Sequence, residues 1–182
     1  MFVLSSNKLE LLFEFVKQQH GEAVRKYTNE PYFMHPFRVA EILSSVTQEE
    51  HMIAIALCHD LIDDTDCTIS VLKIKLKEFG FSSANTRFIC NGVMYLSDYY
   101  VKSIFPEINR KKRKQWEAKR LWSIPDWAQT IKYADIIDNS ENIEKLDPKF
   151  SKIYLPEKKL ILSRMQLGNP VLLRKALEIV NK

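Results

Sequence analysis

The stretch Met52-Ile53-Ala54-Ile55-Ala56-Leu57-Cys58-His59-Asp60 decides the fold. An unbroken apolar run without glycine or proline reads as a helix buried on all faces, and this one runs straight into a histidine and a carboxylate. A carboxylate at the end of so apolar a run needs a partner or a cation if it is buried. Outward from this helix, the longer segments repeat apolar residues at helical spacing and glycine is scarce, at 4, so the class is all-α. A dinucleotide fold would need Gly-rich turns between strand and helix, and there are none. The 182 residues fit a single domain spanning 1–182, large enough for a sizeable core.

Leu9 to Val16 predicts a first helix ending near His20-Gly21, and Pro36 opens a second with Val39, Ile42 and Leu43 on its buried side. Thr47, with Glu50 three residues on, is the capping-box pattern for the helix that delivers His59-Asp60. If that helix continues, Asp63 and Asp64 sit one turn beyond Asp60. Thr68 caps the next helix, the segment from Ser82 to Leu96 reads as another, and Pro125 introduces the helix carrying Asp135. Pro156 opens a later helix through Met165, and Asn169-Pro170 starts the last one. His20 and His51 read as surface or capping residues, and Trp116, Trp122 and Trp127 as packing residues.

The net charge is +4, but Arg110 to Arg120 alone contributes +6 and leaves −2 for the rest. This local basic run suits a small polyanion, a nucleic acid or a solvated helix face, and no nucleic-acid motif accompanies it, so no nucleic-acid partner is expected. Cys58, Cys67 and Cys90 form no CxxC pair; Cys58 reads as core. With no signal peptide and no span of eighteen apolar residues, a cytoplasmic protein without a membrane partner is expected. Self-association is left open.

His35 stands 24 residues before His59-Asp60, and Asp135 follows in Ile131-Lys132-Tyr133-Ala134-Asp135. Two imidazoles and two carboxylates are a mixed donor set suited to a divalent ion that activates water, with Mn²⁺ the first choice and Zn²⁺ or another divalent metal using similar ligands. Each residue also has an ordinary reading: His35 as a polar contact before Pro36, Asp60 as a surface carboxylate. Asp60, Asp63, Asp64 and Asp66 would repel one another without nearby cations. Arg25 and Lys26 are within chain reach of His35, while Lys132 and Asn139, three before and four after Asp135, share its helical face.

These segments together resemble the histidine-aspartate metal-dependent phosphohydrolase superfamily, and within it the guanosine tetraphosphate hydrolase domain of the stringent-response enzymes and their small stand-alone relatives. The resemblance is carried by His20 to Lys26, Glu30-Pro31-Tyr32-Phe33-Met34-His35-Pro36, Ala56 to Thr68, Gly92 to Ser97 and Ile131 to Asn139. It implies a compact multi-helix HD-domain fold and a 3′-pyrophosphohydrolase acting on ppGpp or pppGpp, with a guanine nucleotide as the small-molecule partner. It implies His35, His59, Asp60 and Asp135 as ligands, normally of manganese, and Asp63 and Asp64 as the acid pair that manages water and protons. Arg25, Lys26, Lys132, Asn139 and Tyr154 fall at substrate-binding positions. The first acid is usually glutamate, and Met94-Tyr95 replaces a threonine-lysine pair. Those departures leave open a 5′-nucleotidase of the same superfamily and a binding domain with weak or no catalysis. Neither a synthetase nor a regulatory domain is expected after Lys182.

Overall fold

A computed structural model describes residues 2–182, which are helical with one isolated β-bridge, Val24 to Pro31. The chain forms two compact units, Met1–Ser97 and Asp98–Lys182.

The first unit contains α1 (Asn7–His20), α2 (Met34–Ser44), α3 (Glu50–Cys58), α4 (Leu61–Asp64), α5 (Ile69–Glu78) and α6 (Ser83–Leu96). As the apolar run requires, every residue of α3 from Met52 to Cys58 is buried, and α1, α2 and α6 pack around it. Gly92 makes the α3–α6 approach possible: a Cβ there would lie 2.5 Å from the Ile55 side chain. Ser6, Thr68 and Ser82 cap α1, α5 and α6 through their hydroxyls. Cys58, Cys67 and Cys90 are buried free thiols.

Two expectations about helix ends fail in this unit. Thr47 does not cap α3, which starts from Glu49 without a side-chain cap. Its amide is still held by the Leu43 carbonyl at 3.2 Å as the chain leaves α2, and its hydroxyl accepts the Glu49 N–H. Nor does α3 continue to Asp64. α3 ends at Cys58, where His59 Nδ1 lies 2.8 Å from the Ala56 carbonyl of its last turn, and α4 forms a separate turn.

The second unit contains α7 (Arg110–Leu121), α8 (Asp126–Ser140), α9 (Ile143–Leu146), α10 (Pro148–Leu162) and α11 (Pro170–Val180). Within it α11 packs on α8, and α10 packs on α7, α9 and α11. Asn169 accepts the Val171 and Leu172 amides, the expected cap for α11. Pro156, expected to begin a helix, lies inside α10. The start is made by Asp147, which accepts the Phe150 amide at 2.9 Å, with Pro148 following in the first turn. The one-turn α9 has no counterpart in the sequence reading. Buried Glu117 of α7 accepts the Tyr99 and Tyr100 amides at 3.1 Å each, which fixes the segment beside Asp98.

The turn into α11 is fastened to α8. Tyr133 donates to the Met165 carbonyl at 2.5 Å, the Leu167 amide donates to Gln129 at 3.0 Å, and the Asn169 amide to Thr130 at 2.9 Å. Gly168 sits in this crossing, where a Cβ would lie 2.6 Å from the Tyr133 ring and 2.8 Å from the Thr130 backbone nitrogen. Because backbone cannot swing aside, Gly168→Ala is expected to destabilise the protein by about 1–3 kcal/mol, read as a lower denaturation midpoint in urea at unchanged m-value.

Among the described residues no helix is long and apolar enough to cross a membrane.

Candidate metal centre

In the first unit, His35 lies in the first turn of α2 and His59 follows the last residue of α3. Both rings are buried, 5.1 Å apart and inclined at 68°. Asp60 lies between them: Oδ2 is 3.3 Å from His35 Nε2, and Oδ1 is 3.1 Å from His59 Nε2. The Ala56 carbonyl can only accept, so His59 Nδ1 carries the proton and donates. Nε2 of a neutral ring then presents a lone pair to a carboxylate oxygen. Two acceptors at this distance are reconciled by a second proton or by a cation, and a divalent ion suits the donor set.

The segment between α1 and α2 folds back on itself. Gly21 turns the chain at φ 52°, the Arg25 amide donates to the Glu30 carbonyl at 2.9 Å, and the Tyr32 amide donates to the Ala23 carbonyl at 2.8 Å. Arg38 of α2 grips Glu30 through both carboxylate oxygens at 2.8 and 2.9 Å, an interaction that holds the Glu30 carboxyl below its usual range. This arm brings Tyr32 over His20, with ring centroids 4.9 Å apart, and sets the Arg25 guanidinium 5.5 Å from the Tyr32 ring. The Tyr32 hydroxyl is 2.5 Å from Asp64 Oδ2 and 3.2 Å from Asp60 Oδ2. Burial, followed by the charge of Asp60 and the bond to Asp64, pushes the phenol well above its ordinary range. Partial burial, followed by the charge of Asp60, also raises the Asp64 carboxyl.

Arg25 therefore comes to a ring that touches both Asp60 and Asp64, whereas exposed Lys26 bonds to the Tyr27 hydroxyl at 3.2 Å. Asp63 and Asp64 are exposed on α4, their amides directed to the Asp60 carbonyl. His20 is a correction to the surface reading: it is 5% exposed because the turn at Gly21 and the returning arm cover it, and its burial lowers its pKa. His51, near the start of α3, is partly exposed and meets the Phe88 ring. Tyr32 was missed by the sequence reading. The available signal was a phenol three residues before a ligand histidine, in a segment closed by Pro31.

In the second unit, α8 carries Asp135 with Lys132 Nζ at 2.7 Å and the Asn139 amide donating at 2.6 Å. The helical-face prediction for these three residues holds. Tyr154, on α10, lies 5.4 Å from the Phe150 ring and 4.7 Å below Lys158 Nζ. The basic run forms α7 and is largely engaged: Arg110 with Glu157, Lys114 with Asp98, Arg120 with Glu117, and Lys112 over Trp116. Buried His35 and His59 are imidazole donors of the first unit, and buried Asp135 is a carboxylate donor of the second.

Residues 13–98 match the HD domain family. The chain is similar to the guanosine-3′,5′-bis(diphosphate) 3′-pyrophosphohydrolase of Aquifex aeolicus, with 38% identity over 40% of this chain and 10% of that protein. It is also similar to a probable enzyme of the same name from Synechocystis, with 30% identity over 75% of this chain and 17% of that protein. The match thus spans less than a fifth of either relative. A solved structure, described as a metazoan ortholog of SpoT that hydrolyses ppGpp and plays a role in starvation responses, shares the fold. Its TM-score is 0.82 at 21% identity, covering 99% of this chain and 97% of that one. The family match and the relatives lead to one conclusion: residues 13–98 are an HD domain, and the chain is related to the SpoT/RelA ppGpp hydrolase domains.

Proposed function

We propose that the protein is a manganese-dependent guanosine-3′,5′-bis(diphosphate) 3′-pyrophosphohydrolase that converts ppGpp to GDP, or pppGpp to GTP, and releases pyrophosphate. The observation that carries this reading is the His35–Asp60–His59 cluster with a second carboxylate, Asp64, joined to it through the Tyr32 hydroxyl. The names of the Aquifex and Synechocystis relatives support the substrate.

In this reading His35, His59, Asp60 and Asp135 hold the ion. When bound, it lowers the pKa of water and polarises a phosphoryl oxygen. Water attacks the phosphorus attached to the 3′ oxygen, the bond to that oxygen breaks, and pyrophosphate departs. Asp64, lifted in pKa and oriented by Tyr32, shares with Asp63 the removal of a proton from the attacking water and its delivery to the 3′ oxygen. Arg25, backed by the Tyr32 ring, contacts the base or a phosphate, with Lys26 beside it in sequence. Lys132 and Asn139 steady Asp135 and contact phosphate and sugar, and Tyr154 contacts the nucleotide.

The deciding experiment is incubation of Mn²⁺-loaded protein with ppGpp, for which GDP and pyrophosphate are the expected products. Turnover no greater than that of an Asp60→Asn control, with bound Mn²⁺ confirmed in the wild type, would overturn the proposal. Faster release of single phosphates from 5′-mononucleotides would redirect it to a nucleotidase. Asp63 is one methylene shorter than the usual glutamate, and a displacement of that size at the reacting groups slows chemistry. Asp63→Glu is therefore expected to raise kcat by about tenfold at unchanged metal content.

A further inference from the structure

The second unit contains a group of charges that its own ion pairs do not balance. Lys114 donates to Asp98 at 2.6 Å, and Lys132 pairs with Asp135 at 2.7 Å. Lys158 on α10 lies in the field of Lys132, Asp135, Asp98 and Glu157. Glu157 is already held two-pronged by Arg110, at 3.0 and 2.8 Å. Lys158 Nζ instead sits 4.7 Å from the centroid of the Tyr154 ring, one helical turn away. Three lysines against two aspartates leave one positive charge in excess, and the Arg110–Glu157 pair does not alter that balance.

An ammonium partly withdrawn from water favours an anion, and an aromatic face compensates only part of the lost hydration. Burial, followed by repulsion from Lys132, holds the Lys158 pKa below its ordinary value. A phosphate group would relieve both effects by supplying negative charge and several acceptor oxygens. We propose that Lys158, placed over the Tyr154 ring, is an anion-binding residue that grips a phosphate group of the substrate. The substrate's identity rests on the function proposed above; the surplus charge does not. A lysine suits this position because its mobile ammonium can follow a phosphate while its stem remains against the tyrosine.

The test uses the full chain with Lys158→Gln and Lys158→Arg. Titration calorimetry of inorganic pyrophosphate into chelator-treated protein is expected to show binding by the wild type that is weakened about tenfold in Lys158→Gln and largely restored in Lys158→Arg. With Mn²⁺-loaded protein and ppGpp, KM is expected to rise about tenfold in Lys158→Gln while kcat stays within about twofold. The glutamine variant should melt no lower than the wild type, since it removes a repelled cation. Equal pyrophosphate binding by wild type and Lys158→Gln, or no wild-type binding at millimolar concentration, would overturn the proposal. A lower Tm with unchanged binding would also overturn it and make Lys158 a structural residue. If the wild type does not hydrolyse ppGpp, the proposed function falls while the pyrophosphate comparison still decides the role of Lys158.

Discussion

Asp135→Ala is expected to reduce bound Mn²⁺ far below one ion per chain and to lower ppGpp turnover by about three orders of magnitude or more. The carboxylate is buried and offers the negative charge contributed by α8 to the proposed ligand set. Its loss would also leave Lys132 without the partner now at 2.7 Å and Asn139 without its acceptor at 2.6 Å, so the alanine variant should lose stability as well. Asp135→Asn separates these effects because it retains the shape of the side chain and an oxygen acceptor for Asn139 while removing the charge. Elemental analysis of Asp135→Asn and His35→Ala beside the wild type should show metal loss in both, with melting curves confirming folded protein. Full metal occupancy in either variant would break the ligand assignment.

Asp64→Ala should produce the opposite combination, with metal content near wild type and kcat reduced by about two to four orders of magnitude. The carboxylate is on the exposed side of α4 and is linked to the histidine cluster only through the Tyr32 hydroxyl in the contacts described above. In the proposed mechanism, removing it takes away a proton carrier but leaves the His35–Asp60–His59 geometry supported by α2 and α3. Tyr32→Phe distinguishes proton transfer from orientation: the phenylalanine ring can still stack on His20, but no hydroxyl remains to aim Asp64. A kcat reduction of about tenfold is expected there. Retention of most activity in Asp64→Ala, or loss of metal from it, would assign the acid role elsewhere.

Legibility in the sequence followed the range of the interactions. Lys132, Asp135 and Asn139 meet because three- and four-residue spacings share a helical face, and that rule needs no tertiary information. The caps at Thr68 and Asn169 were equally local. The buried character of α3 followed from its unbroken apolar run, but its end at Cys58, ahead of His59-Asp60, did not. The capping pattern at Thr47 was present in sequence and lost to backbone turning out of α2. Pro156 had the signature of a helix start, but an earlier one at Asp147-Pro148 prevailed. His20 and Tyr32 depended on a return of the chain whose hydrogen bonds link Ala23 to Tyr32 and Arg25 to Glu30, and no periodic pattern announces that arm.

The helix stop at His59 has a consequence for constructing a catalytically silent strain. Because one imidazole both bonds back to the last turn of α3 and reaches toward Asp60, replacing it removes a structural bond and a proposed metal ligand together. A phenotype observed with His59→Ala could therefore come from low protein abundance as readily as from missing hydrolysis. Asp60→Asn separates the two causes in a living cell, since it preserves side-chain volume and the backbone carbonyl to which the amides of Asp63 and Asp64 are anchored. Complementation by that allele, matched for protein level, would report on the reaction alone.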